Sequence, residues 1–139
     1  MPTYQNFLPF VAAAMNGKHV LATDQLMVAL CDAADTPLAS YSKLTDLTEI
    51  DYANLSTREI TTTSAAQLAG LFKLIVEDLT LTASGAVASF KHVVVYNDSA
   101  TDKDLICFYT LDSIVTLTNN GDNIVLDFNQ TDGVFKGGF

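Results

Sequence analysis

The chain contains no tryptophan, only two cysteines, and only seven basic residues against sixteen acidic ones. Each shortage removes a class of function. The basic residues are scattered from Lys18 to Lys136 and leave a formal charge of −9, so no positive surface offers itself to the phosphates of a nucleic acid, and no nucleic-acid partner is expected. Cys31 and Cys107 each sit inside an apolar run, without the CxxC or Cys/His spacing of zinc or thioredoxin-like sites. Both read as buried reduced thiols, with a bridge between neighbouring strands left open. The five tyrosines are spread out, which disfavours the clustered aromatic platform of a sugar-binding module. No apolar run approaches bilayer-spanning length and MPTYQNFLPF has no positively charged region before its apolar stretch, so a soluble, unexported protein with no membrane partner is expected.

What is present is apolar and strand-forming. The 139 residues are 49% hydrophobic with mean hydropathy +0.26, enough to bury the core of one domain. Residues 1–19 read as an N-terminal helical segment: Asn6 can cap, Pro9 is tolerated in a first turn, Phe10, Val11, Ala14 and Met15 share a face, and Gly17 ends it after about three turns. Residues 20–139 read as an antiparallel two-sheet β-sandwich. In LATDQLMVALCD, Leu26, Val28 and Leu30 oppose Met27, Ala29 and Cys31, an apolar pattern on both faces that predicts a central strand. The polar stretch 33–70 predicts long connections and one or two edge strands.

Beyond residue 70 the alternation sharpens. Phe72, Leu74 and Val76 share a face, then Leu79 and Leu81 continue one residue out of phase, which predicts a β-bulge near Glu77 and Asp78. Hairpin turns are predicted at TASGAV, with Gly85 at positive φ, and around Asn120-Gly121. Between them Phe90, His92, Val94 and Tyr96 oppose Lys91, Val93 and Val95, while Leu105, Cys107, Tyr109 and Leu111 oppose Ile106 and Phe108.

Chemistry-bearing motifs are sparse. NDSATDKD, residues 97–104, carries Asp98, Asp102 and Asp104, yet lacks the glycine, glutamate and flanking helices of an EF-hand, so a hairpin tip is expected in preference to a metal loop. His19 and His92 belong to no recognisable nucleophile or metal motif, and His92 reads as a core or edge histidine. TASGAV enters a strand and so lacks the helix N-terminus of a phosphate cradle. No catalytic, cofactor or metal residue is assigned, and an enzyme is not expected.

The order of LATDQLMVAL, the block V-x-D-L-T-L-T-A-S-G, VVVYND followed by a short loop and DLICFYTLD, and NGDNIVLDF resembles a family of small virion structural proteins of tailed bacteriophages. The resemblance covers nearly the whole chain, although YSKLTDLTEIDYANLSTREI stands where such proteins have a small, Gly-rich middle. It implies a β-sandwich capsid decoration, or cement, protein made in the host cytoplasm and placed on the capsid surface. Its implied partners are the major capsid protein and its own copies, as a dimer or trimer matching local capsid symmetry. A head-fibre, tail or receptor-binding role is the alternative, and no active site is carried over. Such a subunit needs an apolar patch for its neighbour. Phe7, Leu8 and Phe10 are the candidate contacts, unless that segment folds over its own sandwich. Phe139 is a further candidate.

Overall fold

The computed structural model describes residues 4–138. The described chain is mainly β, with antiparallel pairing throughout, one short α-helix and a single 3-10 turn at Leu44–Asp46. In chain order the elements are β1 (Gln5–Asn6), α1 (Phe10–Met15), β2 (Leu26–Cys31), β3 (Glu59–Ile60), β4 (Thr62–Leu68), β5 (Leu71–Val76), β6 (Leu79–Thr82), β7 (Phe90–Asn97), β8 (Leu105–Val115), β9 (Asn123–Leu126) and β10 (Phe135–Gly138). They form a five-stranded sheet in the order β1-β8-β7-β2-β3, a three-stranded sheet β10-β5-β4 and a two-stranded sheet β6-β9.

The five-stranded sheet is covered on both faces. Leu26, Val28, Leu30, Val93, Val95, Cys107 and Tyr109 face a large core completed by Leu74, Val76, Leu81 and Leu126 from the smaller sheets. On the other face, Ala29, Cys31, Val94, Tyr96, Leu105 and Phe108 are covered by Phe7, with Tyr41, Leu44 and Leu47 packed alongside. The central position predicted for Leu26–Cys31 is found: β2 lies between β7 and β3.

Several local expectations are corrected. No long helix spans residues 6–19: Gln5 and Asn6 pair with Phe108 and Cys107 of β8, Pro9 is the N-cap, and α1 has six residues. Residues 4–19 therefore pack into the same cores as the rest of the described chain. The phase change at Glu77–Asp78 is a change of sheet, not a bulge, because β5 pairs with β4 and β10 whereas β6 pairs with β9. The Asp78 carboxylate secures that junction by accepting from Phe128 N at 2.9 Å. Register shifts occur instead in the β7–β8 pair, between Phe90 and His92 and at Ile106, which is left unpaired between Leu105 and Cys107. The second puts Leu105 and Cys107 on different cores although they are two residues apart.

The two predicted hairpin turns are crossovers between sheets. TASGAV leads from β6 to β7, and the Asn120-Gly121 turn leads from β8 to β9. They are bound to each other: Ala83 N donates to Asp122 O, Gly121 N to Ala83 O and Val87 N to Leu117 O, each at 2.8 Å. Gly121 has φ +95°, but Gly85 is not at positive φ; its missing Cβ leaves room for the Asn54 side chain.

The polar stretch 33–70 supplies the outer edge of β2. Val28 N donates to Arg58 O and Ile50 N to Leu30 O. The Arg58 guanidinium donates to Val28 O at 2.6 Å and lies 3.6 Å over the Tyr52 ring. Tyr52 Oη accepts from Leu30 N at 2.9 Å and donates to Glu49 at 2.7 Å. The edge groups that a two-residue β3 leaves free are thus satisfied by backbone and side-chain groups of residues 50–58. Tyr52→Phe, which strands the Leu30 amide, is expected to cost about 1–3 kcal/mol in chemical denaturation. Gly133, at φ +78°, lies so close to Leu74 that a Cβ would collide with its carbonyl. Gly133→Ala is expected to destabilise by roughly 2 kcal/mol or more through strain and displacement of β10, read as a lower denaturation midpoint.

Candidate functional site

Two features converge where the N-terminal segment meets the sheets. The first is a buried polar cluster. α1 ends at a turn in which Gly17, at φ +82°, lets Gly17 N donate to Ala14 O and Lys18 N to Ala13 O. His19 then folds inward and packs on Phe10 with ring centroids 5.1 Å apart. Facing it is Asn97, the last residue of β7 and fully buried. Asn97 Oδ1 accepts from Ser99 N at 3.0 Å and Ala100 N at 3.2 Å, which fixes the amide so that its Nδ2 donates to His19 Nδ1 at 2.9 Å and to Asp24 Oδ2 at 2.6 Å. Asp24 Oδ2 also accepts from Val20 N at 2.7 Å. This local network ties the 16–25 segment to the loop between β7 and β8.

That loop, NDSATDKD, closes a true hairpin between β7 and β8. Its carboxylates do not converge on one point. Asp98 is held by its neighbour Lys103 at 2.8 Å, whereas Asp104 and Asp102 stand 3.7 and 3.9 Å from Lys18. No group of three metal-ligating side chains is found among the described residues.

The second feature is an apolar groove of about 530 Å³ beside α1. Phe10, Val11 and Met15 form one wall, His19 and Val20 the next, and Phe72 and Phe135 the wall contributed by β5 and β10. No charged residue lines it. Phe135 meets Phe10 edge-on at 4.9 Å.

The sequence-predicted residues fall in different places. Phe7 and Phe10 are only 1% and 2% exposed and pack on opposite faces of the five-stranded sheet; as candidate outer contacts they are corrected, because apolar rings of that size are used by their own core. Leu8 between them is 75% exposed. Phe139 lies outside the described residues. His92 is buried in hydrogen bonds, with Nδ1 2.8 Å from Thr110 Oγ1 and Nε2 3.2 Å from Thr36 Oγ1. Cys31 and Cys107 are free and buried, on strands separated by β7 and offset by three residues along it, so two strand spacings alone set them at least about 10 Å apart, beyond disulfide reach. Burial pushes both thiols up, Cys31 to about 12. The groove and the His19–Asn97 contact were missed in the sequence; the one available signal was a histidine two residues after the Gly17 stop.

Comparison with family models, curated proteins and solved structures finds no match. No described helix is long and apolar enough to cross a membrane.

Burial holds the His19 imidazole below its ordinary 6.5, with Lys18 adding to the effect and the carboxylates of Asp104 and Asp24 opposing it. A histidine depressed in the folded state is protonated more readily in the unfolded chain. Its contribution to stability is therefore complete above about pH 6.5 and is lost as pH falls through the lower folded value. Chemical denaturation is expected to show stability declining below pH 6.5 in the native protein, with a shallower decline in His19→Gln.

Proposed function

We propose that the chain is a structural protein of a tailed-bacteriophage virion, a non-enzymatic capsid decoration subunit that binds the major capsid protein on the outer surface of the head. In this reading the β10-β5-β4 and β6-β9 sheets act together as the second layer of a sandwich facing the five-stranded sheet. Copies associate as dimers or trimers to suit the local symmetry of the shell.

The observation that carries the reading is the presentation of Leu8. Phe7 and Phe10 are anchored in the cores on either side, and Leu8 N donates to Ala39 O at 2.8 Å, so the leucine is held outward on a fixed backbone. The same hydrogen bond joins its segment to that of Leu38, itself 54% exposed. An apolar side chain fixed in solvent loses little freedom on docking, which is the condition for a small contact to bind. Burying such leucines contributes about 1.5–3 kcal/mol each, modest per subunit but repeated over every capsid position.

Binding only the assembled shell is enough to stabilise it. Particles carrying the protein are expected to disrupt at a higher temperature than particles lacking it. Leu8→Asp is expected to leave the isolated subunit's stability nearly unchanged while lowering its affinity for heads at least about tenfold. Equal disruption temperatures with and without the protein would remove the proposed role.

A further inference from the structure

The groove beside α1 is more specific than an apolar depression, because one of its lining residues, His19, carries an unsatisfied polar atom. His19 is 8% exposed, and its Nε2 is closed to solvent with no hydrogen-bond partner, so an occupant reaches it only by displacing the side chains that cover it. The network around Asn97 determines which hydrogen that atom carries. Asn97 Oδ1 is committed to two backbone amides, so Nδ2 faces His19 Nδ1 and can only donate. His19 Nδ1 must accept, and the neutral ring therefore carries its proton on Nε2. A buried N–H without an acceptor is costly, and native structures rarely leave one without a reason. The opposite edge of the ring is fixed by Asn97, so the imidazole cannot turn to find a partner without giving up that bond.

The surroundings restrict what the acceptor can be. The lining contains no charged side chain, while Asp24 and Asp104 lie close enough to act on His19 electrostatically and the whole chain carries −9. An anionic group brought to Nε2 would meet this negative field with only Lys18 to offset it. An uncharged oxygen meets no such opposition. The volume of about 530 Å³ lies in the range of pockets that take one small organic molecule, and aromatic and aliphatic walls with a single oriented polar group are the usual composition of such pockets. Met15, 69% exposed on the same wall, has an unbranched side chain that can swing to admit an occupant.

We propose that this groove is a binding site for an uncharged, largely apolar small molecule with one carbonyl-type oxygen, such as a ketone, ester or amide, which accepts a hydrogen bond from His19 Nε2. The site is separate from the Leu8 contact, so it stands or falls independently of the virion role.

The test compares three probes of similar shape on the full chain: benzophenone, diphenylmethane, which lacks the oxygen, and 4-benzoylbenzoate, which adds a negative charge. Binding is followed by calorimetry and by the His19 imidazole ¹⁵N resonances. Benzophenone is expected to bind about tenfold more tightly than diphenylmethane, the increment of one hydrogen bond in a dry site. It should shift the Nε2 resonance while Nδ1 remains the acceptor, and 4-benzoylbenzoate should bind more weakly than benzophenone. His19→Leu is expected to abolish the difference between the first two probes, and Ala65→Phe, which fills the groove, to abolish binding of all three. The wild-type resonances provide a readout that does not depend on either variant folding. Equal affinity for benzophenone and diphenylmethane with an unmoved Nε2 signal would overturn the proposal and leave the groove as a surface for apolar packing against a protein segment. Failure of all three probes to bind would also overturn it.

Discussion

A strand that is apolar on both faces can persist only where both faces are covered and both edges are paired, and β7 imposes that constraint on the rest of the molecule. Its neighbours β2 and β8 satisfy the edges. One face requires the core completed by Leu74, Leu81 and Leu126, and the other requires Phe7 with the 41–47 segment. The remaining elements can be understood as ways of meeting these demands. The short sheets cover one face, the N-terminal segment covers the other, and the polar stretch around Tyr52 and Arg58 finishes the edge that β2 would otherwise expose.

The same strand organises the candidate site. Asn97 is where β7 gives way to its hairpin loop, and its side-chain amide meets four partners at once. Placed at the end of a strand fixed on every side, it holds His19 in one orientation and one tautomer. The groove is then built around that imidazole by an apolar helix turn and by aromatic residues of β5 and β10. Rigid backbone and the Asn97 hydrogen bonds fix that ring in place, and apolar walls surround it.

Much of the β character was legible in the sequence, because runs such as Leu26–Cys31 and Phe90–Asn97 keep strand-forming residues on both faces over their whole length. That two-sided burial also hid the details. From Leu105 to Tyr109 every residue is apolar or aromatic, so no polar marker shows where Ile106 is bulged and the phase reverses. The step from Val76 to Leu79 announced an interruption correctly, but a change of sheet and a bulge leave the same mark in a period-two pattern. The helix is shorter than its sequence pattern because Asn6 and Pro9 are both acceptable helix starts, while pairing with β8 claims residues 5 and 6. The groove had no local signature at all: its walls come from segments more than forty residues apart, and His19 meets Asn97 across 78 positions.

The placement of the two thiols has a consequence of its own. Cys107 belongs to the core shared with the smaller sheets and Cys31 to the layer beneath Phe7, so the five-stranded sheet itself stands between them. No disulfide can form between these two thiols within one chain, whether the surroundings are reducing or oxidising. The architecture is held in both by packing and hydrogen bonds without a covalent staple.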